Sequence, residues 1–209
     1  MRVLLIGPPA SGKGTIGARL SQRLGLPLIS IGSLLRDLSP AHPSYEKIAG
    51  AMKEGRLVPN NLVAEILATR LHAGDCVDGF ILDGWGRLFD DIQKLDPSPD
   101  KVIFLNVDIG TAIKRISGRR ICEKDDTLYN IFTNPPKNES LCDVCGGKLT
   151  QRADDTEEVA IRRYESFMIS SMETVDFYRA KGILAELDAS GSADEVFSAT
   201  MEVLGLAAL

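Results

Sequence analysis

Histidine, the side chain most often used to move protons in enzymes, occurs only twice in this chain, at His42 and His72. Neither belongs to a motif, and both read as ordinary surface or helix residues. An acid–base mechanism centred on histidine is therefore not expected. No apolar run approaches the roughly 18 residues needed to cross a bilayer. The first one, Val3 to Ile6, is cut by Gly7 and soon followed by Lys13, so this stretch does not read as a secretory signal. A cytoplasmic protein with no membrane partner is expected. An excess of one charge is lacking too: 24 Lys and Arg against 29 Asp and Glu leave −5. Without a global basic field no nucleic-acid partner is expected, and any polyanion must be held by a local cluster of Arg and Lys. Cysteine is scarce, at four residues, which in a reducing compartment excludes a disulfide framework. Three of the four crowd into Cys122 to Cys145, which favours a metal. Cys76 stands apart and reads as a small buried hydrophobe.

The 209 residues suit one compact domain, or one core with small inserted lobes. "RVLLI", "GFILD", "KVIFLNV" and "GILAEL" are short continuous apolar runs of the kind that form buried parallel strands. Between them the spacing predicts helices. One runs from Lys13 to Leu24 and ends at Gly25. A second covers "SYEKIAGAMKEG" and is stopped by Gly55. A third is "NNLVAEILATRL", with Asn60 or Asn61 as N-cap, and a fourth is "IGTAIKRISGRR". A long helix is predicted from the capping pattern at Asp155 to Glu158 through Lys181, stopping at Gly182, and a last one is capped by Ser192 to Glu195. From Ile121 to Gly147 the texture changes to Cys, Asn, Pro and Gly without helical period, which marks a separate lobe. Strands alternating with helices imply an α/β fold, a parallel sheet with helices on both faces.

"GPPASGKGT", Gly7 to Thr15, contains G-x4-G-K-G-T between a predicted strand and a predicted helix, the context that makes a phosphate-binding loop. Backbone N–H groups of Ala10, Ser11, Gly12, Lys13, Gly14 and Thr15 can converge on one anion, and the helix dipole favours negative charge there. Gly12 and Gly14 let the backbone approach phosphate with no Cβ in the way. Lys13 supplies a mobile charge for the β- and γ-phosphates. The loop alone does not separate ATPase, GTPase and kinase.

Together with "DGWGR", "GRR", "NPPK" and "RADDTEE" in this order, the loop resembles the adenylate kinase family, in its long form with a full lid. The resemblance covers essentially the whole chain. It implies a three-layer P-loop fold with a central parallel five-stranded sheet. It divides the chain into a core (1–29, 60–117 and 156–209), a helical acceptor-binding lobe (30–59) and a small zinc-knuckle β lid (118–155). It implies a monomer that moves a phosphoryl group reversibly from Mg-ATP to AMP, giving two ADP. Lys13, Asp83, Arg36, Arg87, Arg119, Arg152 and Arg163 would carry the reaction, Asp83 by orienting Mg2+ through water. ATP would meet the loop, Arg115, Arg119, Leu128, Tyr129 and Gly191. AMP would meet Ile31, Arg36, Leu57, Val58, Pro59, Gly84, Trp85, Gly86, Arg87, Asp91, Arg152 and Arg163. Phosphoryl transfer needs alignment, a metal and cations rather than a protein nucleophile, and no nucleophile stands out. Arg120 and Arg162 have no comparable claim.

Some relatives carry four zinc ligands in the lid at the spacing C122-x2-D125-x16-C142-x2-C145, usually Cys with one Asp tolerated in the last place. Here Asp takes the second place. Zinc accepts thiolate and carboxylate in one tetrahedral site, so Cys122, Asp125, Cys142 and Cys145 would form a structural Zn2+ site, with Asp126 as a substitute for Asp125. Other positions depart from the pattern: Ala10 stands for Gly, Ile31 for Thr, Ser33 for Asp, Gly86 for Pro, and Asp91 for the Gln that reads the acceptor adenine. A carboxylate only accepts, so Asp91 would suit guanine better than adenine. The reading preferred at this point is that backbone groups at Leu57 to Pro59 suffice and that Asp91 turns to solvent. Rival readings are a kinase for GMP, CMP or UMP, a non-catalytic nucleotide-binding module, and a simple NTPase. The pairing of an acceptor clamp with an ATP loop argues against the last two.

Overall fold

The structure is a computed structural model that describes residues 1–53, 58–151 and 155–206. Five strands, β1 (Arg2–Ile6), β2 (Leu28–Ser30), β3 (Phe80–Asp83), β4 (Lys101–Asn106) and β8 (Leu184–Asp188), form one parallel sheet in the order β2-β3-β1-β4-β8. Every pairing in it is parallel. The alternation of a strand assigns its side chains to two cores. Leu4, Ile6, Leu82, Val102 and Phe104 pack on one face with residues of α3 (Tyr45–Lys53), α4 (Asn60–Leu71) and α8 (Met172–Ala180). Val3, Leu5, Ile81, Ile103 and Leu105 pack on the other with α1 (Lys13–Leu24) and α9 (Ala193–Val203). Because both faces are covered, the inner strands carry continuous apolar runs, Val3 to Ile6, Phe80 to Leu82 and Val102 to Leu105.

β2 escaped the sequence reading. It has three residues, too few to show a period, and runs directly into α2 (Ile31–Arg36) without a turn residue. The short α5 (Phe89–Lys94) was missed for the same reason. α4 begins at Asn60, but its cap is Pro59 rather than either Asn, and the Pro59 carbonyl takes the Leu62 and Val63 amides. Gly55, the predicted stop of α3, lies outside the described residues. α6 (Ile109–Gly118) is capped by the Asp108 carboxylate, and the predicted helical Arg119 and Arg120 instead open β5 (Arg119–Cys122).

The long helix is two. α7 (Glu157–Ser170) and α8 meet at Ser171. The serine is 1% exposed, and its hydroxyl donates to the Arg87 carbonyl at 2.7 Å rather than facing solvent. The α7 cap is Thr156, which accepts from the Val159 amide, and not Asp155. Gly25, Gly182 and the Ser192–Glu195 capping box are found as predicted.

Between α6 and α7 a second sheet, antiparallel and ordered β6-β5-β7, is built from β5, β6 (Leu128–Asn130) and β7 (Leu149–Thr150). Its core is only Cys122, Tyr129, Cys142 and Leu149, with Cys145 packed against it. Main-core packing is the larger store of stability. Replacing Ile103, 0% exposed in central β4, with Ala should cost about 2–5 kcal/mol, read as a lowered urea midpoint with an unchanged slope.

Candidate functional site

The loop between β1 and α1 lies at the carboxyl end of the sheet, where open α/β folds bind ligands. Gly7 is required by close approach, since a Cβ there would meet the Leu105 carbonyl oxygen and Ser11 Oγ, both at 2.5 Å. Gly12 has φ 94°, and Ala10 holds a left-handed φ of 59° without being glycine. Such a conformation stores strain of order 1 kcal/mol, and the Ala10 carbonyl accepts from Arg115 at 3.4 Å. The Lys13 ammonium curls back onto the loop, donating to the carbonyls of Gly7 (2.8 Å) and Pro8 (2.9 Å) and to Ser11 Oγ (3.3 Å). Burial lowers its pKa to about 8, Asp83 opposes, and Arg87 and Arg119 push it further down. Thr15 is exposed beside it.

Asp83 ends β3, and the parallel register sets it opposite Leu5 of β1 and Ser30 of β2. Its Oδ1 is buried and has no hydrogen-bond partner. Burial pushes its carboxyl pKa up, opposed by Lys13 and Arg87. An orphan carboxylate oxygen beside a phosphate loop fits a hydrated divalent cation. Gly84 and Gly86 follow at φ 85° and 76° and carry the chain around buried Trp85, whose indole N–H donates to the Leu95 carbonyl at 2.9 Å. Exposed Arg87 follows. Buried Ile31 lies near Gly84, and Arg36 donates to Ser33 Oγ at 3.0 Å. Val58 packs on the main core ahead of Pro59. Leu57 and Arg152 lie outside the described residues.

Opposite the loop, Arg115 also donates to the carbonyls of Ser190 (3.2 Å) and Gly191 (2.9 Å). Arg119 makes a two-pronged pair with Asp155, Nε to Oδ2 at 2.9 Å and Nη2 to Oδ1. The Asp155 side chain is fully buried. Its position in an apparent capping pattern hid this role from the sequence reading. Arg163 is exposed on α7. Leu128 reaches over the phosphate loop, 3.5 Å from where a Gly14 Cβ would lie. Its neighbour Tyr129 points the other way into the lid, as alternation requires. The structure thus brings Asp83, Arg87, Arg115, Arg119 and Leu128 around Lys13 and the loop between β1 and α1.

Asp91 does not turn to solvent, which corrects the preferred sequence reading. It is 7% exposed, and its carboxylate accepts the Leu88 amide at 3.1 Å, capping α5. Burial pushes its pKa up, while the Leu88 and Arg87 amides pull it down.

In the lid, Cys122, Asp125, Cys142 and Cys145 place four ligand atoms within 4.8 Å of one another. Cys122 Sγ lies 3.4 Å from Cys145 Sγ, and Cys142 Sγ lies 3.6 Å from Asp125 Oδ2. Asp126 is not among the four ligand residues and occupies a left-handed turn position at φ 57°. The Lys124 amide donates to Cys122 Sγ at 3.4 Å. A Cβ on Gly147 would stand 2.9 Å from Cys122 Sγ, so glycine leaves the sulfur room. Hydrogen bonds with Cys145, Cys122 and Thr127 hold the Asp125 carboxyl well below the usual range. Tyr129 Oη accepts the Asp143 amide at 2.8 Å and lies 3.5 Å from Cys142 Sγ. Three sulfurs and one carboxylate, gathered this closely, are a donor set that can hold a metal.

The family model described as "Adenylate kinase" matches residues 5–183. Among curated relatives, "Adenylate kinase" of Streptomyces avermitilis is 39% identical over 98% of this chain and 97% of that protein. The proteins of the same name from Thermosipho melanesiensis and Thermodesulfovibrio yellowstonii are each 38% identical, over 98% of this chain and 99% of theirs.

With its pKa near 8, free Lys13 is about half neutral at that pH, and an adjacent phosphate restores the charge. Binding of a nucleoside triphosphate near pH 8 should therefore take up roughly half a proton, fading below about pH 7. Calorimetry in two buffers of different ionisation enthalpy measures it. Uptake that persists in Lys13→Met would refute the assignment.

Proposed function

The chain belongs to the adenylate kinase family, and from that premise we propose how its residues perform reversible phosphoryl transfer between ATP and AMP. The observation that carries the reading is the convergence of Lys13, Asp83, Arg87 and Arg119 on one loop, close enough for Asp83 and both arginines to displace the Lys13 pKa.

The α1 amino terminus and the loop amides receive the ATP phosphates. Lys13 exchanges its three loop acceptors for phosphate oxygens, which it does readily because carbonyls satisfy an ammonium less well than an anion does. Asp83 and Thr15 are placed to hold hydrated Mg2+, which shields phosphate charge when bound. Arg115 and Gly191 flank the ATP base, with Leu128 and Tyr129 on the lid side. Arg36 and Arg87 hold the acceptor phosphate, and Ile31, Val58, Pro59 and the Gly84–Gly86 loop wall its base together with Leu57. Arg119, Arg152 and Arg163 neutralise the charge that spreads over the moving group. Residues 118–155 act as a lid that excludes water, which would otherwise take the phosphoryl group. Residues 30–59 form the acceptor lobe, and the rest form the core. A cytoplasmic monomer is the working form.

The metal of the lid is Zn2+, held by Cys122, Asp125, Cys142 and Cys145, and it is structural. A lid whose core is four residues gains most of its cohesion from such a site, whose apparent binding energy in peptides is ~10–16 kcal/mol. Chelation should lower the melting temperature strongly, and elemental analysis should find about one zinc per chain; a metal-free chain with an unchanged melt would sink this assignment.

The acceptor is tested by incubating Mg-ATP with AMP, GMP, CMP or UMP in turn and resolving the products chromatographically. ADP formed with AMP far ahead of the others is expected. Preference for GMP or a pyrimidine nucleotide would move the assignment to another nucleoside monophosphate kinase.

A further inference from the structure

We propose that Asp91 and Ser171 are positioning residues that grip the Arg87 peptide from both sides and so aim its guanidinium. Asp91 lies on α5 and Ser171 lies at the break between α7 and α8. The proposal rests on the reading of Arg87 as the residue that holds the acceptor phosphate.

Three observations converge on this peptide. The Ser171 hydroxyl, on a side chain 1% exposed, donates to the Arg87 carbonyl at 2.7 Å. The Asp91 carboxylate, 7% exposed, accepts the Leu88 amide, the other side of the same peptide, at 3.1 Å. Just upstream, Gly86 sits at φ 76°, where a Cβ would meet Ile92 Cδ1 at 3.0 Å and Thr174 Cγ2 at 3.2 Å. Proline, fixed near φ −65°, could not take this conformation. The loop therefore descends onto the first turn of α8 through a glycine and is fastened there by hydrogen bonds.

The consequence is geometric. Arg87 has an exposed side chain beside a peptide whose C=O and following Leu88 N–H are both engaged by buried groups. Its base is fixed while its tip is free to meet an anion. Phosphoryl transfer loses rate steeply when a clamp is displaced by about 1 Å. The interruption of the long helix gains a reason as well. At Ser171 the chain leaves one helix and starts another, which brings this serine hydroxyl to the loop carrying Arg87. Asp91, which stands where relatives have a base-reading Gln, is committed to backbone amides. A carboxylate suits that task because it only accepts.

The test is steady-state kinetics with AMP and ATP varied separately. Ser171→Ala should raise KM for AMP roughly five- to twentyfold, the range of one lost buried hydrogen bond. KM for ATP should stay within about twofold. Asp91→Ala should show the same split, and Asp91→Asn, which keeps one accepting oxygen, should recover part of it. Thr174→Val removes a buried hydroxyl that has no partner in the same turn and should leave both KM values unchanged. Adding Ser171→Ala to Arg87→Ala should produce no further rise in KM for AMP, because the serine acts through the arginine. Independent effects in that double variant would overturn the proposal, as would equal rises in both KM values for Ser171→Ala. If Arg87→Ala itself leaves KM for AMP unaltered, the reading of Arg87 fails and the proposal with it. If Arg87→Ala raises it while Ser171→Ala and Asp91→Ala do not, the reading stands and the grip alone is refuted.

Discussion

The parallel pairing of β1 with β3 on one side and β4 on the other is the constraint on which the rest depends. It sets Asp83 level with Leu5, one residue before the phosphate loop begins to leave the sheet. It also brings the end of β4 so close to Gly7 that only glycine fits beneath the Leu105 carbonyl. The loop, the carboxylate and the Gly84–Gly86 turn thus all emerge at one edge because their strands run the same way. A parallel sheet carries this cost in sequence separation, since each strand must be reached by a helical crossover. The return is that all strand ends converge on one side. Lys13 works in that setting. Burial of its ammonium, helped by Arg87 and Arg119, lowers its pKa to about 8, and an adjacent phosphate restores the charge.

The lid obeys a different rule. Its sheet has three short strands, and among the described residues its hydrophobic cluster has four buried members, far less than a lobe needs to hold itself together by burial alone. Two devices compensate. One is the ligand cluster, supported by Tyr129 from within the lid. The other is Arg119 with Asp155, one at each end of the insertion, where the chain leaves and rejoins the main body. Consecutive residues of β6 divide the labour, since Leu128 leans over Gly14 while Tyr129 reaches the Cys142 sulfur. The two faces of one strand therefore reach the cysteine cluster on one side and the phosphate loop on the other.

What was legible in the sequence follows from how local the signal is. The phosphate loop, four apolar strands, the caps at Gly25 and Ser192, and the C-x2-C knuckle are all written within a few residues of themselves. β2 and α5 are too short to show a period. The break at Ser171 was illegible because its cause is a carbonyl 84 residues away in sequence. Asp155 looked like a helix cap and proved to be the partner of Arg119. In each case a polar side chain that could have served its own helix was claimed by a distant group. Propensity does not register such a claim.

Asp91 shows why carrying a role across a family by position alone falls short. A glutamine at this place would present an amide that both donates and accepts. The aspartate here is shorter, and its Oδ2 is taken by the Leu88 amide just ahead of its own helix. Gly86, where proline is usual, has a φ that proline cannot adopt, so the loop between β3 and α5 follows its own path. Gly86 and Asp91 both belong to this loop, and Asp91 and Ser171 fasten its Arg87–Leu88 peptide from opposite sides. An aspartate held in this way has a structural partner on its own loop, and any role in reading a base would require breaking that buried hydrogen bond.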